Sequence, residues 1–168
     1  MLAKGLFSCI HYKTHPYNST LGSAKYHLEE WDFDLNPFYQ RDYVWGKEEQ
    51  DTFLKNVINE YPIGTIVIVI DENKNEGFME VVDGKQRLTT LKLFFENKIS
   101  IDGLYWKDLD IVEQRVFRGL KFPMEVLRMR DGSDVSDKVK LELFFNVNFT
   151  GVPQSDDHKK IILELMGD

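Results

Sequence analysis

The chain has 168 residues, a formal net charge of −7 and a hydrophobic content of 42%. This length and composition predict one folded domain with a sizeable core, and no apolar run is long enough to span a bilayer. The single cysteine excludes an intramolecular disulfide framework, and the N-terminus lacks the pattern of a signal peptide, so we expect a cytoplasmic location. The acidic balance argues against attraction of nucleic acid to the whole surface.

The first half of the chain is predicted to alternate between helices, loops and strands. Residues 1–34 form a lead-in whose first twenty residues are expected to be irregular; the lead-in is either a tail or packed on the domain. Pro37 restricts the backbone of Asn36, so an irregular loop is expected there. Apolar spacing, β-branched runs and turn residues predict a short helix at Ser23–Glu30, a helix over Lys47–Tyr61, and a hairpin of Thr65–Ile70 and Gly77–Val82 with its turn at Asp71–Asn75.

The second half is predicted to be mainly helical. Phe122–Leu127 is the exception, since it is predicted to be a strand, and Pro123 places it at a sheet edge or at the start of the strand. Apolar faces with helical spacing predict helices over Leu88–Asn97, Asp110–Leu120, Ser136–Phe145 and Gln154–Met166. The fold class that follows is α+β, with a small mixed sheet flanked by helices.

The segment Val81–Leu91 is the most informative part of the chain, because a strand there ends in Asp83-Gly84 and a helix begins with Lys85-Gln86-Arg87. Glycine permits a tight turn, and the first N–H groups of a helix have no intrahelical partner and favour an anion. Arg87 can add a planar fork of donors suited to phosphate. A strand–turn–helix corner, with a solvated arginine and a capping aspartate, explains the same residues. Both interpretations stay open on these residues alone.

Four segments in this order carry a resemblance to a known family: Leu35–Trp45, Tyr61–Ile66, Val81–Leu91 and Phe144–Pro153. They resemble the domain of unknown function 262 family, a branch of the ParB-like (ParB/sulfiredoxin) superfamily. Its members carry P-x-Y-Q-R-x-Y-x-W, Y-P-I-G, D-G-Q-Q-R-L-T-T-L and N-x-x-G-x-P blocks. The resemblance implies a ParB/sulfiredoxin-like fold, with the domain over residues 35–168.

The resemblance also implies a site for a nucleoside triphosphate with Mg²⁺. Asp83 is the expected metal ligand, and Asp83 and Gln86 are the expected catalytic residues. Contacts to the nucleotide or its phosphates are expected from Gly84, Lys85, Arg87, Thr89, Thr90, Gln40, Arg41, Asn148 and Gly151. Two alternatives stay open, since the threonine hydroxyls can bond the preceding helical turn and Asn148 can be a turn residue. Lys85 stands where the family usually has a glutamine. The added positive charge favours anion binding, and the loss of the glutamine amide argues against hydrolysis.

In GmrSD-type modification-dependent restriction enzymes, the related domain works with a nucleoside triphosphate and is paired with an HNH-type nuclease domain. No such segment follows the last block here, so we do not expect this chain alone to cleave DNA. A protein partner from a defence or phage system is expected instead. The densest basic stretch is either a solvated face or a weak nucleic-acid contact, and it contains Arg115, Arg118, Lys121, Arg128 and Arg130.

Three functions follow from these observations, in order of preference. The first is nucleoside-triphosphate binding, with or without hydrolysis. The second is a non-catalytic interaction or regulatory module, and the third is a ParB-like nuclease or DNA-binding protein. Binding ranks first because the residues around Asp83 form a recognisable phosphate-binding turn, whereas the sequence shows no nuclease metal site.

Overall fold

The computed structural model of the protein describes residues 12–17, 19–71, 78–149 and 156–167. The strands are β1 (Tyr12–Tyr17), β2 (Phe33–Asp34), β3 (Ile66–Ile70), β4 (Met79–Asp83) and β5 (Met124–Met129). The helices are α1 (Leu21–Glu29), α2 (Lys47–Ile58), α3 (Lys85–Phe95), α4 (Ile111–Gly119), α5 (Asp137–Phe149) and α6 (Asp156–Met166), and a short 3₁₀ turn lies at Trp106–Asp108.

The five strands form one mixed sheet in the order β1-β5-β3-β4-β2. β3 and β4 pair antiparallel as a hairpin, and β1 pairs antiparallel with β5. β5 runs parallel to β3, and the short β2 runs parallel to β4. The predicted α+β class, with a small mixed sheet flanked by helices, is therefore confirmed.

Two separate cores lie on the two faces of this sheet. Side chains alternate along a strand, so Ile66 and Ile68 of β3 point to one face while Val67 and Val69 point to the other. The first face packs against α1, α2, α3 and α4, and the second packs against α5 and α6. The molecule therefore has three layers, with the sheet in the middle.

Most predicted elements are confirmed, including the hairpin and the helices that correspond to α1 through α6. The edge position predicted for Phe122–Leu127 is wrong, because β1 pairs with β5 along its whole length and places it inside the sheet. Pro123 lies just before β5, where its carbonyl accepts a hydrogen bond from the N–H of Ile66 at 2.9 Å. Residues 72–77, which include most of the predicted turn, lie outside the described residues.

The lead-in differs from the irregular structure predicted for its first twenty residues. Residues Tyr12–Tyr17 form the edge strand β1, and their polar sequence shows no apolar alternation from which a strand could be read. Leu21 and Ala24 of α1 are buried in the first core, and Phe33 of β2 joins them. Residues 12–34, apart from the undescribed residue 18, thus belong to the same sheet and core as the rest of the chain.

The end of β4 is irregular at the point where it approaches α3. Val67 of β3 faces Asp83 and Ile68 faces Val81, so Val82 is an extra, bulged residue. Bulges are frequent next to functional sites, because they re-aim the strand. Gly84 then turns the chain into α3 with a φ of +109°, in the left-handed region that favours glycine.

Candidate functional site

A cavity of about 170 Å³ opens at the N-terminal end of α3. It lies between the first turn of α3, the irregular loop that precedes α2, and the C-terminal half of α5. Three cations and one carboxylate are among the residues that line it, so the cavity favours anions. Most of the predicted site residues are brought together here: Gln40, Arg41, Asp83, Gly84, Lys85, Gln86, Arg87 and Asn148, joined by Trp45 and Phe144.

Gly84 directs the first turn of α3 at this cavity. A Cβ at this position would lie 2.2 Å from Cδ1 of the fully buried Ile66. The core therefore packs against the turn so closely that there is no space for a side chain. Gly84 also occupies the N-cap position and offers no side-chain acceptor. The N–H groups of the first turn therefore remain without intrahelical partners, and with the helix dipole they favour a bound anion.

Asp83 does not cap α3, so the capping interpretation is wrong. Its Oδ2 instead accepts a hydrogen bond from Nη2 of Arg87 at 2.9 Å, and both side chains are largely buried. Asp83 is the only carboxylate among the described residues that line the cavity. No cluster of three or more metal-ligating side chains occurs in the part of the chain that the structure describes. A single carboxylate suits an Mg²⁺ ion that arrives on phosphates, since Mg²⁺ is usually held by one or two carboxylates together with substrate phosphates.

Three consecutive side chains of the signature hold two loops of the site. The Lys85 ammonium donates to Oδ1 of Asn36 at 3.0 Å, near the start of the loop between β2 and α2. The next residue, Gln86, binds the backbone at the end of the same loop. Its Oε1 accepts from the N–H groups of Val44 (2.9 Å) and Trp45 (3.3 Å), and its Nε2 donates to the carbonyl of Asp42 (3.0 Å). Successive helical residues point about 100° apart, which explains why neighbours in sequence reach separate segments.

Arg87 holds the second loop, between α2 and β3, which contains most of the predicted Tyr61–Ile66 block. Its Nη1 donates to the carbonyl of Ile63 at 2.8 Å, and Nη2 donates to the carbonyl of Thr65 at 3.2 Å. A Cβ on Gly64 would come within 2.7 Å of Nη1, so the guanidinium lies directly against this backbone. These contacts assign Arg87 a positioning role, and its expected contact with phosphate stays a prediction.

Lys85, which is predicted to add positive charge to the phosphate site, is a buried cation. Burial lowers the pKa of its ammonium, while the nearby carboxylates of Asp42 and Asp34 act in the opposite direction. The family's usual glutamine would carry no charge at this position. The substitution therefore places a positive charge beneath the cavity wall in this chain.

Arg41 is the lining cation that no neighbour neutralises. Its side chain is half-buried, and among the described residues it has no hydrogen-bond or ion-pair partner. Burial lowers the pKa of the guanidinium, yet arginine remains charged at neutral pH. A partly desolvated charge without a counter-charge among the described residues is unfavourable, so this position favours a bound anion.

Gln40, the residue before Arg41, fastens the loop to the sheet. Its Nε2 donates to the carbonyls of Val81 (2.9 Å) and Val82 (2.8 Å). Consecutive carbonyls point to opposite sides of a regular strand, so the bulge at Val82 is what brings both within reach of one amide. Gln40 thus binds the bulged backbone at the end of β4.

The opposite wall is anchored by a buried polar cluster beneath the cavity. Glu80 of β4 accepts a hydrogen bond from the Tyr39 hydroxyl at 2.7 Å and from the Lys140 ammonium at 2.9 Å. Burial and the adjacent Glu80 carboxylate raise the pKa of Tyr39. Phe144 of α5 packs on the Tyr39 ring at 5.4 Å, so the cluster ties the loop, the sheet and α5 together. Nothing in the local sequence of Glu80 or Lys140 indicated this pairing across 60 residues.

Asn148 lies one helical turn after Phe144, and both line the cavity. Its Nδ2 donates to the carbonyl of Phe144 at 2.8 Å. The alternative that Asn148 is a turn residue is wrong, because α5 continues to Phe149. Gly151, its predicted companion, lies outside the described residues.

Two predicted phosphate ligands lie away from the cavity. Thr90 is fully buried, and its hydroxyl donates to the carbonyl of Gln86 at 2.8 Å and bonds the Tyr43 hydroxyl at 2.9 Å. This is the local alternative expected for a helical threonine. Thr89 is half-buried and is not among the residues that line the cavity.

The basic stretch is divided by the fold, although all five of its cations are exposed. Arg115 and Arg118 lie on α4 and Lys121 follows that helix, whereas Arg128 and Arg130 lie at the far end of β5. A strand advances about 3.3 Å per residue, so Lys121 and Arg128 are separated by roughly 20 Å. The stretch is therefore two small groups, and nucleic-acid contact at either stays a prediction.

Two aromatic residues of the cavity were missed as site residues. In the sequence Trp45 is the end of the Leu35–Trp45 block and Phe144 is part of a predicted helix, neither of them with a predicted role in the site. The spacing of Trp45 in the Tyr39–Trp45 block was the available signal, since it recurs in the family pattern beside Gln40 and Arg41. For Phe144 the available signal was its place at the start of the Phe144–Pro153 block, although its role depends on where α5 packs.

Comparison with known families decides what kind of domain carries this site. A family model described as the GmrSD restriction endonuclease, N-terminal domain, matches residues 23–160. The chain belongs to this family. The match includes the segments around Arg41, Asp83 and Asn148 that form the cavity. Family membership therefore agrees with the resemblance inferred from the four sequence blocks.

Among solved structures, the chain is similar to the C-terminally truncated chromosome-partitioning protein ParB from Caulobacter crescentus, complexed with CTP-gamma-S. The identity is 12% and the TM-score is 0.40; the match covers 94% of this chain and 63% of the ParB chain. This chain thus spans less than two thirds of that protein. No curated protein sequence matches. Among the described helices, none combines the length and apolar character needed to span a bilayer.

Proposed function

We propose that this chain binds a nucleoside triphosphate, with the phosphates at the N-terminus of α3 and against Arg41. The observation that carries the proposal is the unneutralised Arg41 guanidinium, which lines the same cavity as the first turn of α3. Helix N–H groups and an arginine fork are complementary donors for phosphate oxygens. The family resemblance supplies the choice of a nucleoside triphosphate among phosphate-bearing ligands.

Binding is better supported than hydrolysis by the positions of the signature side chains. Both ends of the Gln86 amide are hydrogen-bonded to loop backbone, which leaves it suited to shaping the cavity rather than to moving with an attacking water. Asp83 is held by Arg87. We propose that Mg²⁺ reaches the site with the triphosphate, that Asp83 is its protein carboxylate, and that any turnover is slow.

The family to which the chain belongs also suggests how binding is used. We propose that nucleotide binding makes this domain a regulatory part of a restriction or phage-defence system, with a protein partner that carries the nuclease activity. The exposed cations of α4 and β5 are too dispersed to support a DNA-cleavage function as the first choice.

The test is calorimetric titration with ATP, GTP, CTP, UTP and inorganic triphosphate, each with and without Mg²⁺. We expect binding by the wild type, and a loss of about 10-fold or more in Arg41→Ala, because a hydrogen bond to a charged group contributes about 1.5–3 kcal/mol. Arg115→Ala is the matched control, since Arg115 is an exposed arginine outside the cavity.

Two results would contradict this proposal. One is the absence of binding heat with every ligand at high protein concentration, accompanied by unchanged thermal stability, since a ligand that binds the folded state must raise stability by mass action. The other is equal affinity in the wild type and Arg41→Ala. Phosphate release with Mg²⁺ would show that the chain also hydrolyses its ligand.

A further inference from the structure

The volume of the cavity limits which part of a nucleotide it encloses. Pockets that enclose a drug-sized ligand have volumes of roughly 300–1,000 Å³, whereas this cavity measures about 170 Å³. Its lining is dominated by charged and amide side chains, which suit phosphates. The nucleoside must therefore lie at the mouth of the cavity, where it needs a surface of its own.

Among the described residues, two aromatic side chains line the cavity, and one of them is only half-buried. Phe144 is 2% exposed and is packed against Tyr39. Trp45 is only half-buried, and it lines the cavity. A base stacks on an exposed aromatic face, and such stacking tolerates any base because every base has a π-face.

The position of Trp45 is held from several sides. Its ring packs against Phe53 of α2 at a centroid distance of 5.5 Å and an interplanar angle of 56°. The backbone N–H of Trp45 donates to Oε1 of Gln86 at 3.3 Å, and the backbone carbonyl accepts from Nε2 of Gln50 at 3.1 Å. An aromatic platform that is fixed before the ligand arrives loses little entropy on binding, which favours its use as a contact surface.

We infer that Trp45 is the nucleobase platform of this site, and that stacking on its indole distinguishes nucleotides from base-free phosphates. This inference rests on the proposed triphosphate site and names the feature that selects its substrate class. Gln86 connects the two parts of the site, because it lies in the first turn of α3 and accepts a hydrogen bond from the backbone N–H of Trp45.

The experiment compares ATP with inorganic triphosphate, which has no base, in titration calorimetry of the full chain. We expect the wild type to bind ATP roughly 10-fold more tightly than triphosphate, in the range expected for stacking of one base. Trp45→Leu should lower ATP affinity roughly 10-fold and leave triphosphate affinity unchanged. Phe38→Leu is the matched control, since Phe38 is an exposed aromatic in the same loop that does not line the cavity.

The outcomes separate this inference from the proposed function. Unchanged ATP affinity in Trp45→Leu overturns the platform role, as does an equal loss for ATP and triphosphate, which would mean that the ring only supports the loop. If the wild type binds neither ligand, the proposed site itself fails. Fluorescence provides a second measurement that does not depend on the folding of Trp45→Leu.

The fluorescence measurement uses a Trp31→Phe background, where the remaining tryptophans are Trp45 and the buried Trp106. We expect saturation with ATP to quench the emission and saturation with inorganic triphosphate to leave it unchanged. Emission that stays unquenched at saturating ATP overturns the inference.

Discussion

Replacing Gly84 with alanine should disrupt the turn on which the candidate site depends. The new Cβ would lie 2.2 Å from Cδ1 of Ile66 and 3.1 Å from its Cγ2, inside a fully buried part of the core. The backbone there also has a φ of +109°, which an L-residue adopts only with strain. We expect about 1–2 kcal/mol from the backbone and about 1–3 kcal/mol from overpacking, so about 2–5 kcal/mol together.

Two further variants separate these contributions. Gly103 has a φ of +87°, and a Cβ added there would meet no atom within 4 Å, so Gly103→Ala measures backbone strain alone. Ile66→Val removes the atom that clashes and by itself costs about 0.5–1.5 kcal/mol. Gly84→Ala combined with Ile66→Val should therefore be less destabilised than the sum of the single variants by about 1–3 kcal/mol.

Urea unfolding followed by far-UV circular dichroism measures these differences, provided that the slope with urea is the same in every variant. For a chain of this length, Gly84→Ala should lower Tm by roughly 5–20 °C. The reasoning is refuted if Gly84→Ala costs no more than Gly103→Ala, or if the double variant shows simple additivity. Either result would mean that steric overlap with Ile66 does not contribute to the cost of a side chain at position 84.

Two other predictions concern buried charges. Lys140→Met should destabilise the fold by about 3–5 kcal/mol in urea unfolding, because it removes the ammonium that pairs with the buried Glu80 carboxylate. Lys98→Met, which breaks an exposed pair with Glu96, is the control, and equal losses would contradict the prediction. Burial lowers the pKa of Lys85 in the folded protein. Between this lowered pKa and the unfolded value of ~10.4, the unfolded protein binds more protons than the folded one, so the free energy of unfolding should rise as the pH increases. Lys85→Gln should lack this rise across an alkaline urea series, whereas parallel profiles would show that Lys85 does not titrate as predicted.

The sequence by itself was sufficient for the helices, the hairpin and the turn at Gly84. Each of these is a local pattern: apolar residues at helical spacing, a β-branched run, and a glycine between a strand and a basic helix start. The edge strand β1 was missed, because its sequence shows no alternation of apolar and polar residues. These residues form a strand by pairing with β5.

The candidate site shows the same division in finer detail. The family resemblance of the sequence blocks implied which segments meet, and the blocks around Arg41, Asp83 and Asn148 all line one cavity. Only the tertiary structure decided what each side chain does. Arg87 is predicted to contact phosphate because of its planar fork of donors, and the fold also gives it a positioning role, since Nη1 and Nη2 bind the carbonyls of a loop more than 20 residues away. Hydrogen-bond partners of this kind depend on how distant segments pack, which no local pattern records.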